Sequence, residues 1–134
     1  MISGLVVTHG GLGEELVRVV TLVLGPVDGL GALSNRGRSA KDVTGDIRDW
    51  IAARPDVAAD GVIVFIDDFG GSCANAAQLA VQGGPPAAIL TGVNLAMVLD
   101  FLTWRDSLRV PELARRLVEK GRQAISQLGA AGSE

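Results

Sequence analysis

Cysteine and histidine each occur once in this 134-residue chain, at Cys73 and His9, and tyrosine is missing altogether. A lone thiol cannot pair within the chain, and one thiol with one imidazole cannot build a zinc or iron–sulfur centre. Metal-centred chemistry is therefore not expected. Basic residues are in deficit: 12 lysines and arginines against 15 acids give a formal net charge of −3. A nucleic-acid footprint would want a basic stripe, so that partner is not expected either. No apolar run approaches the ~20 residues of a bilayer-spanning helix, and the N-terminus lacks a charged segment followed by a long apolar one. These absences describe a soluble, cytoplasmic protein with no membrane insertion. No cofactor is implied. Gly11-Leu12-Gly13 supplies only part of a dinucleotide fingerprint, with Leu16 where the third glycine would stand.

What the chain has in quantity is glycine, 18 residues set at the ends of apolar runs rather than at a fixed period, which reads as turns and loop apices. A chain of this length can bury about two thirds of its unfolded surface, enough for one domain with a proper core. That domain is expected over residues 1–128, followed by a frayed, disordered tail at 129–134.

Ile2 to Thr8 is a β-branched apolar run halted by His9-Gly10-Gly11, the pattern of a buried strand ending at a loop. Leu12, Leu16, Val19, Val20 and Val23 recur at helical spacing, with Glu14 and Glu15 in the first turn and Gly25-Pro26 as the stop. A weaker strand from Gly29 to Leu33 leads into the polar loop Ser34-Asn35-Arg36-Gly37-Arg38, whose arginines read as solvated charges. Ser39 is placed to cap a helix carrying Val43, Ile47, Trp50 and Ile51 before Pro55. Gly61 to Ile66 is the clearest buried strand. It runs into Asp67-Asp68-Phe69-Gly70-Gly71, with Ser72 predicted as a helix cap and Cys73 as a small buried hydrophobe. A fourth strand spans Ala87 to Thr91, Asn94 caps a helix through Trp104, and Pro111 opens a last helix through Leu128.

Strand–helix alternation predicts an α/β three-layer sandwich: a mainly parallel four-stranded sheet with helices on both faces. Ligands in such sheets sit beyond the carboxyl ends of the strands, where strand order switches. In a 2-1-3-4 order, the loops after strands one and three share one crevice. The first brings Thr8, His9 and Gly10; the third brings Asp67, Asp68, Gly70, Gly71 and Ser72. A histidine held through one ring nitrogen by a carboxylate, for which Asp67 is the first choice, keeps the other nitrogen as a lone pair for proton or phosphoryl transfer. Gly70-Gly71-Ser72 at a helix start offers backbone N–H groups and a hydroxyl to a phosphate, and Gly10 leaves the approach open. Taken singly, the histidine reads as a loop residue, the aspartates as turn formers and Gly-Gly-Ser as a loop and cap; the weight lies in their combination.

Three blocks carry a resemblance: Thr-His-Gly at 8–10, Val-Phe-Ile-Asp-Asp-Phe-Gly-Gly-Ser-Cys-Ala-Asn-Ala-Ala at 64–77, and Thr-Gly-Val-Asn-Leu-Ala-Met-Val-Leu at 91–99. In that order the chain resembles the IIA component of the mannose family of the phosphoenolpyruvate-dependent sugar phosphotransferase system over nearly its whole length. The resemblance implies a phosphotransferase acting as a phosphohistidine carrier. It is usually a homodimer, taking a phosphoryl group from phosphorylated HPr and passing it to a IIB component in sugar uptake. Carried over by position, His9 is the phosphorylated residue, Asp67 its orienting carboxylate, Gly70, Gly71 and Ser72 the phosphate cradle, and Asn94 part of a loop near the crevice. Cys73 and Ala96 stand where relatives often have proline, and Ala74 leaves the partner-facing loop smaller.

Other functions compete with this one. With no Ala/Pro-rich linker and no IIB domain after Glu134, the IIB partner is expected as a separate chain or absent, and its absence would favour an orphan phospho-switch binding a kinase or transcription regulator. The phosphotransfer subunit of dihydroxyacetone kinase is also similar, though the Gly-Gly-Ser-x-x-Asn block and the Gly-Val-Asn loop fit the mannose type better. A histidine phosphatase would need a second histidine, and a response regulator a lysine on a late strand.

Overall fold

The computed structural model describes residues 1–129; the last five residues of the expected tail lie outside the described residues. Four strands, β1 (Ser3–Thr8), β2 (Leu30–Ser34), β3 (Val62–Ile66) and β4 (Ala87–Thr91), form one parallel sheet in the order β2-β1-β3-β4. Between and after them run α1 (Leu12–Leu24), α2 (Ala40–Ala52), α3 (Pro55–Asp60), α4 (Ser72–Val81), α5 (Leu95–Trp104) and α6 (Val110–Gln123). This is the α/β architecture and strand order expected from the alternation of elements.

Because side chains alternate across a strand, β1 and β3 each feed two cores. Leu5, Val7, Val64 and Ile66 face α2, α3 and α4, packing with Val43, Ile47, Val57, Cys73 and Ala77. Val6, Ile63 and Phe65 face the other side, against Met97 and Phe101 of α5 and Leu113 and Leu117 of α6, with Leu16 and Val17 of α1 alongside. Phe65 meets Phe101 edge to face, with ring centroids 5.5 Å apart. Burial of a side chain of that size stabilises by roughly 1.5–3 kcal/mol. Cys73 is fully buried as a small apolar residue.

Strand register brings the functional loops level. Thr8 lies beside Ser34 on one side, Val7 beside Ile66 on the other, and Ile66 beside Thr91. The chain therefore leaves β1, β2 and β3 at the same height, and His9, Asn35 and Asp67 emerge side by side.

Three local expectations need correction, and one element, the short helix α3, is not among the expectations. Residues 55–60 form the short helix α3, started by Pro55 in its first turn and anchored by the buried Val57. Ser72 is the first residue of α4 rather than its cap; Gly71 occupies the cap and makes no side-chain bond. Helix α1 rests on Gly13 and Val20, leaving Leu12 and Val23 exposed. Helix α6 stops at Gln123, short of Leu128. Its buried row Val110, Leu113, Leu117 and Gly121 ends where Gly121 meets Met97 and Asn94 at the start of α5. Past that point no neighbouring element covers the apolar face, and Ile125 and Leu128 lie exposed.

Candidate functional site

The site is built at the tip of β1. Thr8 is fully buried, and its Oγ1 accepts the Gly13 N–H at 2.7 Å, which fixes the start of α1. Its hydroxyl is thus spent inside the fold and does not line the crevice, contrary to the sequence expectation. Gly10 turns the chain away with φ of +55°, a left-handed value that glycine adopts without a Cβ penalty. His9, between them, is pushed outward with about half its side chain exposed (52%).

Asp67, the first residue after β3, takes His9 from the side. Its Oδ2 lies 2.9 Å from His9 Nδ1 and also accepts the His9 backbone N–H at 3.1 Å. Its Oδ1 is buried with no hydrogen-bond partner among the described residues, so the carboxylate's pairing is concentrated on the one histidine. The hydrogen bond to Asp67, then its charge, raises the His9 pKa above 6.5, and Asp68 adds to the effect. For Asp67, burial pushes the carboxyl upward, but the hydrogen bonds from the His9 ring and backbone outweigh it and hold the group below its ordinary value.

A neutral His9 that donates Nδ1–H to Asp67 carries its lone pair on Nε2. That edge of the ring faces the start of α4: a Cβ placed on Gly71 would stand 3.5 Å from His9 Cε1 and 3.8 Å from Nε2. Gly70 adopts φ of +85°, which turns the loop so that Gly71 enters α4 in extended conformation. The first N–H groups of a ten-residue helix, with the exposed Ser72 as its first residue, therefore stand beside the free nitrogen. Helix N-termini of this kind attract anions. Asp68 is exposed beside Asp67 and faces solvent.

Asn94 belongs elsewhere. Its Oδ1 accepts the Met97 N–H and its Nδ2 donates to the Gly121 carbonyl, so it caps α5 and ties it to α6. It lines a separate depression of about 350 Å³ with Gly92, Gly121 and Arg122. Missing from the sequence reading were Phe69, 84% exposed in the loop that carries Asp67, and Leu12, half exposed after the loop that carries His9. Both leave large apolar groups in solvent near His9. Among the described residues no helix is long and apolar enough to cross a membrane, and no cluster of three or more potential metal ligands is present.

Comparison with known proteins bears on the whole arrangement. A family described as "PTS system fructose IIA component" matches residues 4–118. The mannose-specific EIIAB component of the phosphotransferase system from Escherichia coli is 29% identical over 125 residues, covering 92% of this chain. The chain spans only 38% of that relative's length. Among solved structures, phosphotransferase system component EIIA from Streptococcus agalactiae is similar, with a TM-score of 0.85, 21% identity, and coverage of 95% of this chain and 97% of that one. The mannose/sorbose specific IIA subunit from Enterococcus faecalis is similar with a TM-score of 0.73, 24% identity, and coverage of 97% and 96% respectively.

Proposed function

The chain belongs to the PTS system fructose IIA component family of phosphocarriers, and from that premise we propose that His9 accepts a phosphoryl group from phosphorylated HPr and hands it to a IIB component during sugar uptake. The observation that carries this reading is the 2.9 Å contact of His9 Nδ1 with Asp67 Oδ2, which reserves Nε2 for phosphorus.

The step balances simply. The Nε2 lone pair of neutral His9 forms a bond to phosphorus as the P–N bond of the donor phosphohistidine breaks, and the departing imidazole keeps that electron pair. The Nδ1 proton stays on His9, where it remains hydrogen-bonded to Asp67. The phosphorylated ring is then imidazolium-like, and the adjacent carboxylate balances its positive charge. Onward transfer to the IIB component reverses the same bond changes. Catalysis by such a site rests on positioning and electrostatics rather than on a covalent helper.

The phosphoryl group is received by the backbone N–H groups at Gly71 and Ser72, with Gly70 shaping the loop, and Gly10 keeping the approach clear. Phe69 and Leu12 supply apolar contacts to whichever carrier protein docks over His9. Leu22, Val23 and Leu24, exposed by 70, 60 and 52%, give α1 an apolar end suited to cover in a homodimer. The reading sets the protein in the cytoplasm, where these carriers operate.

Incubation with radiolabelled phospho-HPr tests the proposal. The expected result is one label on the wild-type chain, none on His9→Ala, and passage of the label to a IIB protein added afterwards. Labelling that survives in His9→Ala would overturn it.

A further inference from the structure

Two arginines sit in the loop between β2 and α2, and their surroundings differ. Arg38 is committed: Nε and Nη2 fork onto the two carboxylate oxygens of Asp46, at 2.9 and 2.6 Å. Arg36 has no carboxylate partner among the described residues, and its guanidinium extends over the turn that follows His9. Its Nη2 lies 3.4 Å from the position a Cβ on Gly10 would occupy and 3.9 Å from that of Gly11.

This approach is built into the fold. The Asn35 N–H bonds the Thr8 carbonyl at 3.1 Å, and Asn35 Oδ1 accepts the Gly10 N–H at 3.3 Å, so the two loops are stitched together on both sides of His9. The Arg36 N–H is held by Ser34 Oγ at 3.0 Å. Any side chain at position 10 or 11 would occupy the space over which the guanidinium lies. Asp67, with the charge of the exposed Asp68 beside it, already makes the other side of His9 negative, and a phosphoryl group adds roughly −1.5 to −2 charges there.

We propose that Arg36 is a phosphate clamp: its guanidinium folds across Gly10-Gly11 onto the phosphoryl oxygens when His9 is phosphorylated. This rests on the reading of His9 as the acceptor. Arg36 forms no covalent bond and moves no proton; the P–N bond made at Nε2 is still matched by the one broken on the donor. Its planar fork suits phosphate oxygens, and its charge offsets the repulsion from Asp67 and Asp68. The clamp acts on the equilibrium share of phosphorus held by His9, so Arg36 retards loss of the group as well as favouring its arrival.

The test uses the full chain as wild type, Arg36→Gln, Arg36→Lys and Arg38→Gln, with phospho-HPr as donor at low salt, where exposed charges are least screened. The readout is the partition of label between HPr and His9 at equilibrium, with circular dichroism to check folding. Arg36→Gln is expected to shift the partition about tenfold toward HPr, the scale of one charge-assisted hydrogen bond. Arg36→Lys should fall between wild type and Arg36→Gln, because it keeps the charge but not the fork. Arg38→Gln should partition as wild type. A partition in Arg36→Gln within twofold of wild type, an equal loss in Arg38→Gln, or a larger loss in Arg36→Lys than in Arg36→Gln overturns the clamp while leaving the acceptor reading intact. Failure of the wild type to take label at all overturns the acceptor reading, and the clamp with it.

Discussion

A single carboxylate oxygen, Asp67 Oδ2, receives both the ring Nδ1 of His9 at 2.9 Å and the His9 backbone N–H at 3.1 Å. The two bonds fix different freedoms. The first sets the ring's tautomer and rotation; the second holds the main chain from which the ring projects. Loss of the carboxylate charge therefore affects chemistry before it affects folding. Asp67→Asn should fold normally and accept label from phospho-HPr on the order of 100-fold more slowly, the scale of a well-placed acid–base partner. Rapid-quench labelling checks this, and an unchanged rate would remove Asp67 from the reaction.

The pH profile follows from the same pair. Protonation of Nε2 removes the attacking lone pair, and Asp67 raises the His9 pKa above 6.5. Transfer rate should therefore fall as pH drops, with its midpoint above ~6.5, and Asp67→Asn should move that midpoint down. The sign for stability is the opposite. A raised folded-state value means the pair's contribution is complete below the unfolded ~6.5 and is lost as pH rises through the folded value. Rate and unfolding measurements across pH 5–9 report the two effects separately.

Gly71 offers a cleaner steric test than the histidine itself. Its backbone, at φ of −85°, accepts an L residue without strain, yet a methyl there stands 3.5 Å from His9 Cε1 and 3.8 Å from Nε2. Gly71→Ala should keep the fold and slow labelling by about tenfold or more, because the methyl crowds the line of attack. Stopped-flow kinetics alongside a denaturation curve would show it, and an unaltered rate would mean that phosphorus arrives from another side.

For Phe69, the effect should fall on encounter rather than on chemistry. Removal of an exposed aromatic anchor commonly costs more than about 1 kcal/mol at a protein interface. Phe69→Ala should raise the KM for phospho-HPr several-fold, with kcat and thermal stability unchanged. A lowered kcat at saturating donor would instead place the ring among the groups that position His9.

Asn94 separates structure from function. With both ends of its amide used to cap α5 and hold α6, Asn94→Ala should lower stability by about 1 kcal/mol and leave label transfer at the wild-type rate. Slower transfer by the folded variant would return Asn94 to the crevice.

The fold and the pairing of His9 with Asp67 in the candidate site were legible because each had a physical signature spread over several residues. The apolar run of β3 between Gly61 and Asp67 could only be a buried strand, and strand–helix alternation then forced a parallel sheet whose carboxyl ends collect His9 and Asp67. What escaped notice lacked such a signature. Residues 55–60 are too few to display a helical period, and Leu117 to Leu128 continues an apolar rhythm past the point where α5 can cover it. Thr8 and Asn94 carry the same polar groups whether they face a ligand or a backbone amide. Arg36 and Arg38 are alike as letters; only the position of Asp46 across a helix turn tells which one is occupied.

The central place of β1 has one more consequence. With β2 bonded along one edge and β3 along the other, and its side chains packed on both faces, the strand under His9 is clamped in every direction. If His9 takes a phosphate as proposed, the group finds no slack to pull on, and its effect should stay at the surface as charge instead of travelling inward as a change of shape. On that reading a downstream carrier protein would feel the phosphate directly, and amide exchange along Ser3–Thr8 should be the same before and after it arrives.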